Sequence, residues 1–161
     1  MLVVRLVLKA CEWGVVSASA LMIAVTLAQV VFRYLFQAPI TWSEELARYA
    51  FVYIVYLAAP IALHRGLHIG VDNLTVHLSP RVQQGLMVLN DLLALGLVLL
   101  IGYASLEVLE ANQLQFSPAL NIRMSHVYLA IPICMLAMAL VLAVRLWTGK
   151  RASPVSTGQP Q

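Results

Sequence analysis

Apolar residues fall in four long runs along the chain, separated by short polar interruptions. The first, residues 13–32, carries no charge over 20 positions. As a helix it reaches about 30 Å, the thickness of a bilayer's hydrocarbon core. Arg5 and Lys9 precede it and Arg33 closes it. The small-residue triplet Ala18-Ser19-Ala20 resembles a signal-peptide cleavage site, but Glu12 interrupts the stretch before it and the apolar run continues well past it, so a membrane span is expected. The second run covers residues 46–63. Its uncharged part has only 15 residues, so Arg48 is expected to snorkel towards the headgroups. The third spans 82–109, with Asp91 inside it, and the fourth spans 127–144 between Arg123 and Arg145. Pro60 and Pro132 lie within the second and fourth runs, where membrane helices tolerate them.

The predicted architecture is all-α: an integral membrane bundle of four transmembrane helices, with a short interfacial helix between the first two. The spans are expected over about 11–33, 46–64, 84–108 and 126–146, in a single membrane domain over 1–148. Residues 149–161, dominated by Ser, Pro, Thr, Gly and Gln after Lys150 and Arg151, cannot bury a core and are expected to form a disordered cytoplasmic tail.

Composition supports the lipid bilayer as the solvent. Hydrophobic residues make up 61% and charged residues 11%, where soluble domains carry about 25% charged residues, and the mean hydropathy is +0.87. The net charge of +3 does not point to nucleic acid, because the basic residues are scattered singly. They act better as orientation signals. With four spans, Arg5, Lys9, Arg65, Arg81, Arg145, Lys150 and Arg151 share one side, and only Arg33, Arg48 and Arg123 lie on the other. Seven against three predicts that both termini face the cytoplasm. Cys11 and Cys134 read as small buried residues.

Little in the chain looks catalytic. His64 and His68 have helical i, i+4 spacing, as haem or metal ligands often do, but His126 falls at the opposite side of the membrane and Gly66 marks a helix end nearby. No cofactor is expected. Asp91 is the polar residue that most needs a reason, since an acid near a helix centre costs about 2.5–3.5 kcal/mol to insert. It lies near enough to the membrane edge to reach interfacial water, Arg81 or Arg145. Thr41-Trp42-Ser43-Glu44 reads as a capping box, with Glu44 and Glu45 in the first turn of a new helix and Glu44 spaced i, i+4 from Arg48. Two readings stand side by side: a well-capped interfacial helix without a partner, or a charged contact with another membrane subunit.

The stretch QVVFRYLFQAPITWSEELARYAFVYIVYLAAPIALHRGLHIGVDNL resembles the small, DctQ-type membrane subunit of TRAP (tripartite ATP-independent periplasmic) transporters. The likeness rests on Arg33-Tyr34, Pro39, Trp42-Ser43-Glu44-Glu45, Arg48, Arg65 and His68-Ile69-Gly70-Val71-Asp72. A second segment, SPALNIRMSHVYLAIPI, resembles the family's entry into its last helix. The chain departs from the family pattern at Tyr53, Pro60, Arg123 and Ser125-His126.

The resemblance implies an accessory, scaffold-type small permease of a secondary, sodium-coupled importer of organic acids such as dicarboxylates. It implies a bacterial inner-membrane location and two partners, a large permease subunit and a periplasmic substrate-binding protein. Substrate and ion sites would lie in the large subunit, so no catalytic, substrate-binding or metal residue is expected here. The candidate subunit-contact residues are Arg33, Trp42, Glu44, Glu45, Arg48, Arg65, His68, Asp72 and Asp91. A haem- or quinone-binding electron carrier, and the small subunit of a different tripartite importer, are the alternatives.

Overall fold

The computed structural model describes residues 2–38, 40–66 and 79–148, and it is helical almost throughout. Helix α1 runs Leu2–Tyr34, α2 Ser43–His64, α3 Pro80–Ala111, α4 Met124–Tyr128 and α5 Ala130–Thr148. Helices α4 and α5 are two parts of one span, so four segments are long and apolar enough to cross a membrane. The four-helix membrane bundle read from the sequence is the observed fold. The separate interfacial helix expected between the first two spans is absent among the described residues; Glu44 and Glu45 belong to α2 itself, and the short helix among the described residues is α4. The tail expected to be disordered lies outside the described residues.

The helix ends follow from local chemistry. Tyr34 ends α1; beyond it Gln37 adopts a left-handed φ of 50° and the Ala38 amide donates back to Phe32 O at 3.2 Å. Helix α2 ends as Gly66 predicts: its φ of 70° lets its amide reach Leu63 O, while the Arg65 amide bonds to Ile61 O. Helix α3 opens on Pro80, whose missing N–H costs nothing in a first turn. The fourth span breaks at Leu129 because Pro132 cannot donate to Tyr128 O; the Ile133 amide resumes the pattern on Leu129 O.

Helix α5 is the inner element. Ala130, Cys134, Ala137, Val141 and Leu142 are buried along it, and the small side chains at 130, 134 and 137 let its neighbours approach closely. It packs against α3, α2 and α1, and α1 packs chiefly on α2. The helices therefore stand in the order α1, α2, α5, α3, with α3 held by α4 and α5. A core cluster joins all four spans through Val4, Leu8, Leu63, Val98, Val141 and Leu142. Cys11 and Cys134 are buried free thiols. One end of the bundle gathers the N-terminus of α1, the C-terminus of α2, the start of α3 and the end of α5. We call this the terminal face, and the opposite end, bearing residues 35–38, 40–42 and 112–123, the loop face.

Candidate functional site

At the loop face, α2 begins at Ser43, and the buried Ser43 hydroxyl donates to Ile40 O at 2.7 Å to close the turn. The N-cap position is Trp42, with helical φ −85° and ψ −13° and no side-chain cap bond. The capping box expected from Thr41 and Glu44 is therefore not formed. Its spacing requires Thr41 at the N-cap, and the helix starts one residue later, which puts Glu45 rather than Glu44 at the third helical position.

Glu45 is used differently. Its Oε2 accepts the backbone amides of Ala119 at 3.0 Å and Leu120 at 2.8 Å, and its Oε1 accepts the Tyr49 hydroxyl at 2.7 Å. Both amides come from one tight turn. In it Ser117 N donates to Ile122 O, Asn121 N donates to Ser117 O with Asn121 at a left-handed φ of 53°, and Ile122 N donates to the Ser117 hydroxyl oxygen. A turn of this kind aims successive N–H groups at one point, where a carboxylate is the natural acceptor. An antiparallel bridge between Phe116 and Arg123 closes the loop. Helix α2 is fastened to α4 a turn further along, where the Tyr53 hydroxyl donates to His126 O. The two stretches that looked familiar in the sequence, one around Glu45 and one from Ser117 to Tyr128, are thus a single physical clasp.

The other loop-face candidates are nearby but less engaged. Glu44 Oε1 accepts from Gln29 Nε2 of α1 at 3.2 Å. Its expected i, i+4 pairing with Arg48 is not among the ion pairs of the described residues, because Gln29 holds the carboxylate and Arg48 is exposed. Arg33 and Trp42 are also exposed. At the terminal face Arg65 Nη2 lies 2.8 Å from Glu12 Oε1, tying α2 to α1. His68 and Asp72 lie outside the described residues. Inside the bundle Asp91 is buried, and its Oδ2 lies 3.4 Å from Arg145 Nε, which joins α3 to α5. Arg145 was one of the two basic partners the sequence allowed for Asp91.

Sequence reasoning missed the Glu45–Tyr49 and Tyr53–His126 bonds and the Glu12–Arg65 pair. The i, i+4 spacing of Glu45 and Tyr49 was the one available signal; the others depend on tertiary placement. Among the described residues no group of three His, Cys, Asp or Glu side chains is placed to share a metal ion.

Glu12, Glu44, Glu45, Arg65, Asp91 and Arg145 tie helices and loops to one another, and four helices are long and apolar enough to cross a membrane, which together define a membrane-embedded helical subunit. The chain belongs to the family described as tripartite ATP-independent periplasmic transporters, DctQ component, whose model it matches over residues 22–152. It is 30% identical to a TRAP transporter small permease protein of Haemophilus influenzae, over 86% of each chain. It is 32% identical to the isethionate TRAP transporter permease protein DctMQ of Oleidesulfovibrio alaskensis over 71% of this chain, but that match covers only 19% of the longer relative. With the C4-dicarboxylate TRAP transporter small permease protein DctQ of Vibrio cholerae it shares 36% identity over 50% of this chain and 36% of the relative. The protein is accordingly a transporter component and not an enzyme, a multi-pass protein of the bacterial inner membrane.

Proposed function

We propose that this small permease works as the fixed, scaffold-side partner of a large permease subunit, in an importer that takes organic acids from a periplasmic binding protein and couples their uptake to sodium. The observation that carries the pairing is the DctMQ relative, in which the matched unit is a minor part of one long permease chain. Relatives named for isethionate and for C4-dicarboxylate support organic acids as a class without choosing dicarboxylates. The internal bonding of the charged residues supports a static role.

In this reading Arg33, Trp42, Glu44 and Arg48 present the loop-face contact with the large subunit, and Glu45 shapes it by holding the 117–122 turn. Arg65, His68 and Asp72 do comparable work at the terminal face, and Asp91 braces α3 through Arg145. The seven-to-three distribution of basic residues supports a cytoplasmic terminal face.

The test is co-expression with a large TRAP permease encoded alongside, followed by affinity capture in mild detergent. A stable complex is expected, with uptake that fails when sodium is replaced by potassium. Recovery of this chain only as a lone, stable monomer would refute the pairing, and sodium-independent uptake would refute the coupling alone.

A further inference from the structure

One side of the first turns of α1 carries charge that the bundle does not answer. Val4, Leu8 and Cys11 are buried and fix which side faces inward. Arg5, Lys9 and Trp13, spaced i, i+4 and i+8, lie on the other side and are all exposed, with Leu2 and Leu6 exposed beside them. Glu12, the only acid in α1, is the natural i, i+3 partner for Lys9, but Arg65 of α2 holds it at 2.8 Å. Arg5 and Lys9 are left without an ion pair among the described residues.

Their depth suits a lipid headgroup. The charge-free run of α1 starts at Trp13, and the Glu12–Arg65 pair ties that level to the C-terminal end of α2. Lys9 and Arg5 stand one and two turns further out, about 6 and 12 Å along the axis. Long basic side chains reach back to the phosphate layer from there while their stems cover apolar surface. Trp13, 72% exposed, stands at the boundary where indole rings gather. Bulk water would solvate the two cations but leave Leu2, Leu6 and Trp13 uncovered, whereas a phospholipid meets both kinds of group. Helix α1 packs chiefly on α2, so this side is open to the bilayer.

We propose that the outer side of residues 2–13 is a binding site for an anionic phospholipid, its phosphate held between Arg5 and Lys9 and its glycerol end resting on Trp13. Two cations one turn apart answer a headgroup of net negative charge, while a zwitterionic headgroup brings an amine that opposes them. The site rests on α1 spanning a bilayer and not on the transport reading.

The test uses the full chain with Trp42→Phe and Trp147→Phe, both exposed positions, which leaves Trp13 as its one tryptophan. The chain is reconstituted in vesicles of phosphatidylcholine with a minor share of phosphatidylglycerol. Bromine, which quenches indole fluorescence on contact, is carried either by the phosphatidylglycerol or by an equal amount of the phosphatidylcholine, so the bilayer charge is the same in both. Brominated phosphatidylglycerol is expected to quench Trp13 roughly fivefold more effectively, the scale set by one basic residue near an anionic surface. Arg5→Gln with Lys9→Gln is expected to remove that preference and leave quenching by phosphatidylcholine as it was. Arg123→Gln, at an exposed arginine of the loop face, should keep it. Salt at about 1 M, where the Debye length falls to about 3 Å, should shrink it without any substitution. Equal quenching by the two lipids in the parent chain overturns the site, as does a preference untouched by salt. A preference that survives the double substitution also overturns it; if capture of a large permease is lost in that variant, the two cations belong to an acidic segment of the partner instead.

Discussion

Glu45 shows how a residue that reads as surface charge becomes an organising centre. Its carboxylate gathers two amides and a phenol that would otherwise compete for interfacial water. A glutamine at this position keeps an acceptor oxygen but loses the charge that strengthens such bonds, and an alanine loses the acceptor as well. Glu45→Gln is therefore expected to speed hydrogen exchange at the Ala119 and Leu120 amides, and Glu45→Ala to speed it further, with amides in the middle of α5 unchanged. Equal protection in wild type and alanine variant would show that the turn holds without the clasp. Glu44→Gln should be much milder, because the Gln29 bond needs only an acceptor oxygen. The sequence made the Glu-Glu pair visible but could not tell which member matters. That is decided by a one-residue shift of the helix start, and the Ala119–Leu120 turn that answers Glu45 lies more than 70 residues away.

Among elements, α3 depends most on a single neighbour. It packs on α5 and α4 and makes at most marginal contact with α1 and α2. Removing one member of a buried ion pair costs about 3–5 kcal/mol because the other is left without its counter-charge. Asp91→Asn and Arg145→Gln are each expected to lower the thermal midpoint in detergent, and the double variant should lose less than the sum of the two. Additive losses would mean that the 3.4 Å approach carries no coupling.

Glycines give a second contrast. At Gly85 an added Cβ meets nothing within 4 Å, so Gly85→Ala should stabilise α3 by about 0.5–1 kcal/mol through lower chain entropy. At Gly14 it would lie 2.7 Å from Leu57 Cδ1, so the end of that side chain must move and Gly14→Ala should gain less than Gly85→Ala. A larger rise in thermal midpoint for Gly85→Ala than for Gly14→Ala would confirm the contrast. Helix existence was plain from the apolar runs, and Gly66 announced one of the ends. The order α1, α2, α5, α3 was not legible, because four apolar helices with weak amphipathic character do not declare which faces meet.

Among the described helices only α5 is substantially enclosed, while α1 and α3 bury few of their residues and display large apolar faces. In a bilayer those faces are solvated by lipid or by another membrane protein, so the small bundle does not need to be self-contained. Its orientation can be measured directly. Reporter fusions at Gln161 and near Gln37 are expected to report cytoplasm and periplasm respectively, and a periplasmic signal from the C-terminal fusion would reverse the assignment. The bundle and its family were readable because composition, run length and two charged segments all point the same way. The pairing of those segments in space was not, since it depends on how the fourth span returns beside the second.

The attachment of α3 to α5 has a consequence for biogenesis. The ribosome delivers α3 to the membrane before α5 has been made, so Asp91 enters its final depth while Arg145 is still unsynthesised. Helices α1 and α2 can pair as soon as they emerge, sealed by Glu12 and Arg65, but α3 must wait at the insertion machinery or stay shallow with its acid in the headgroups. A chain truncated after residue 123 and released from the ribosome should therefore leave α3 open to protease, and restoring the final span should protect it. The last helix to be translated is then the one that fixes the third in the bilayer.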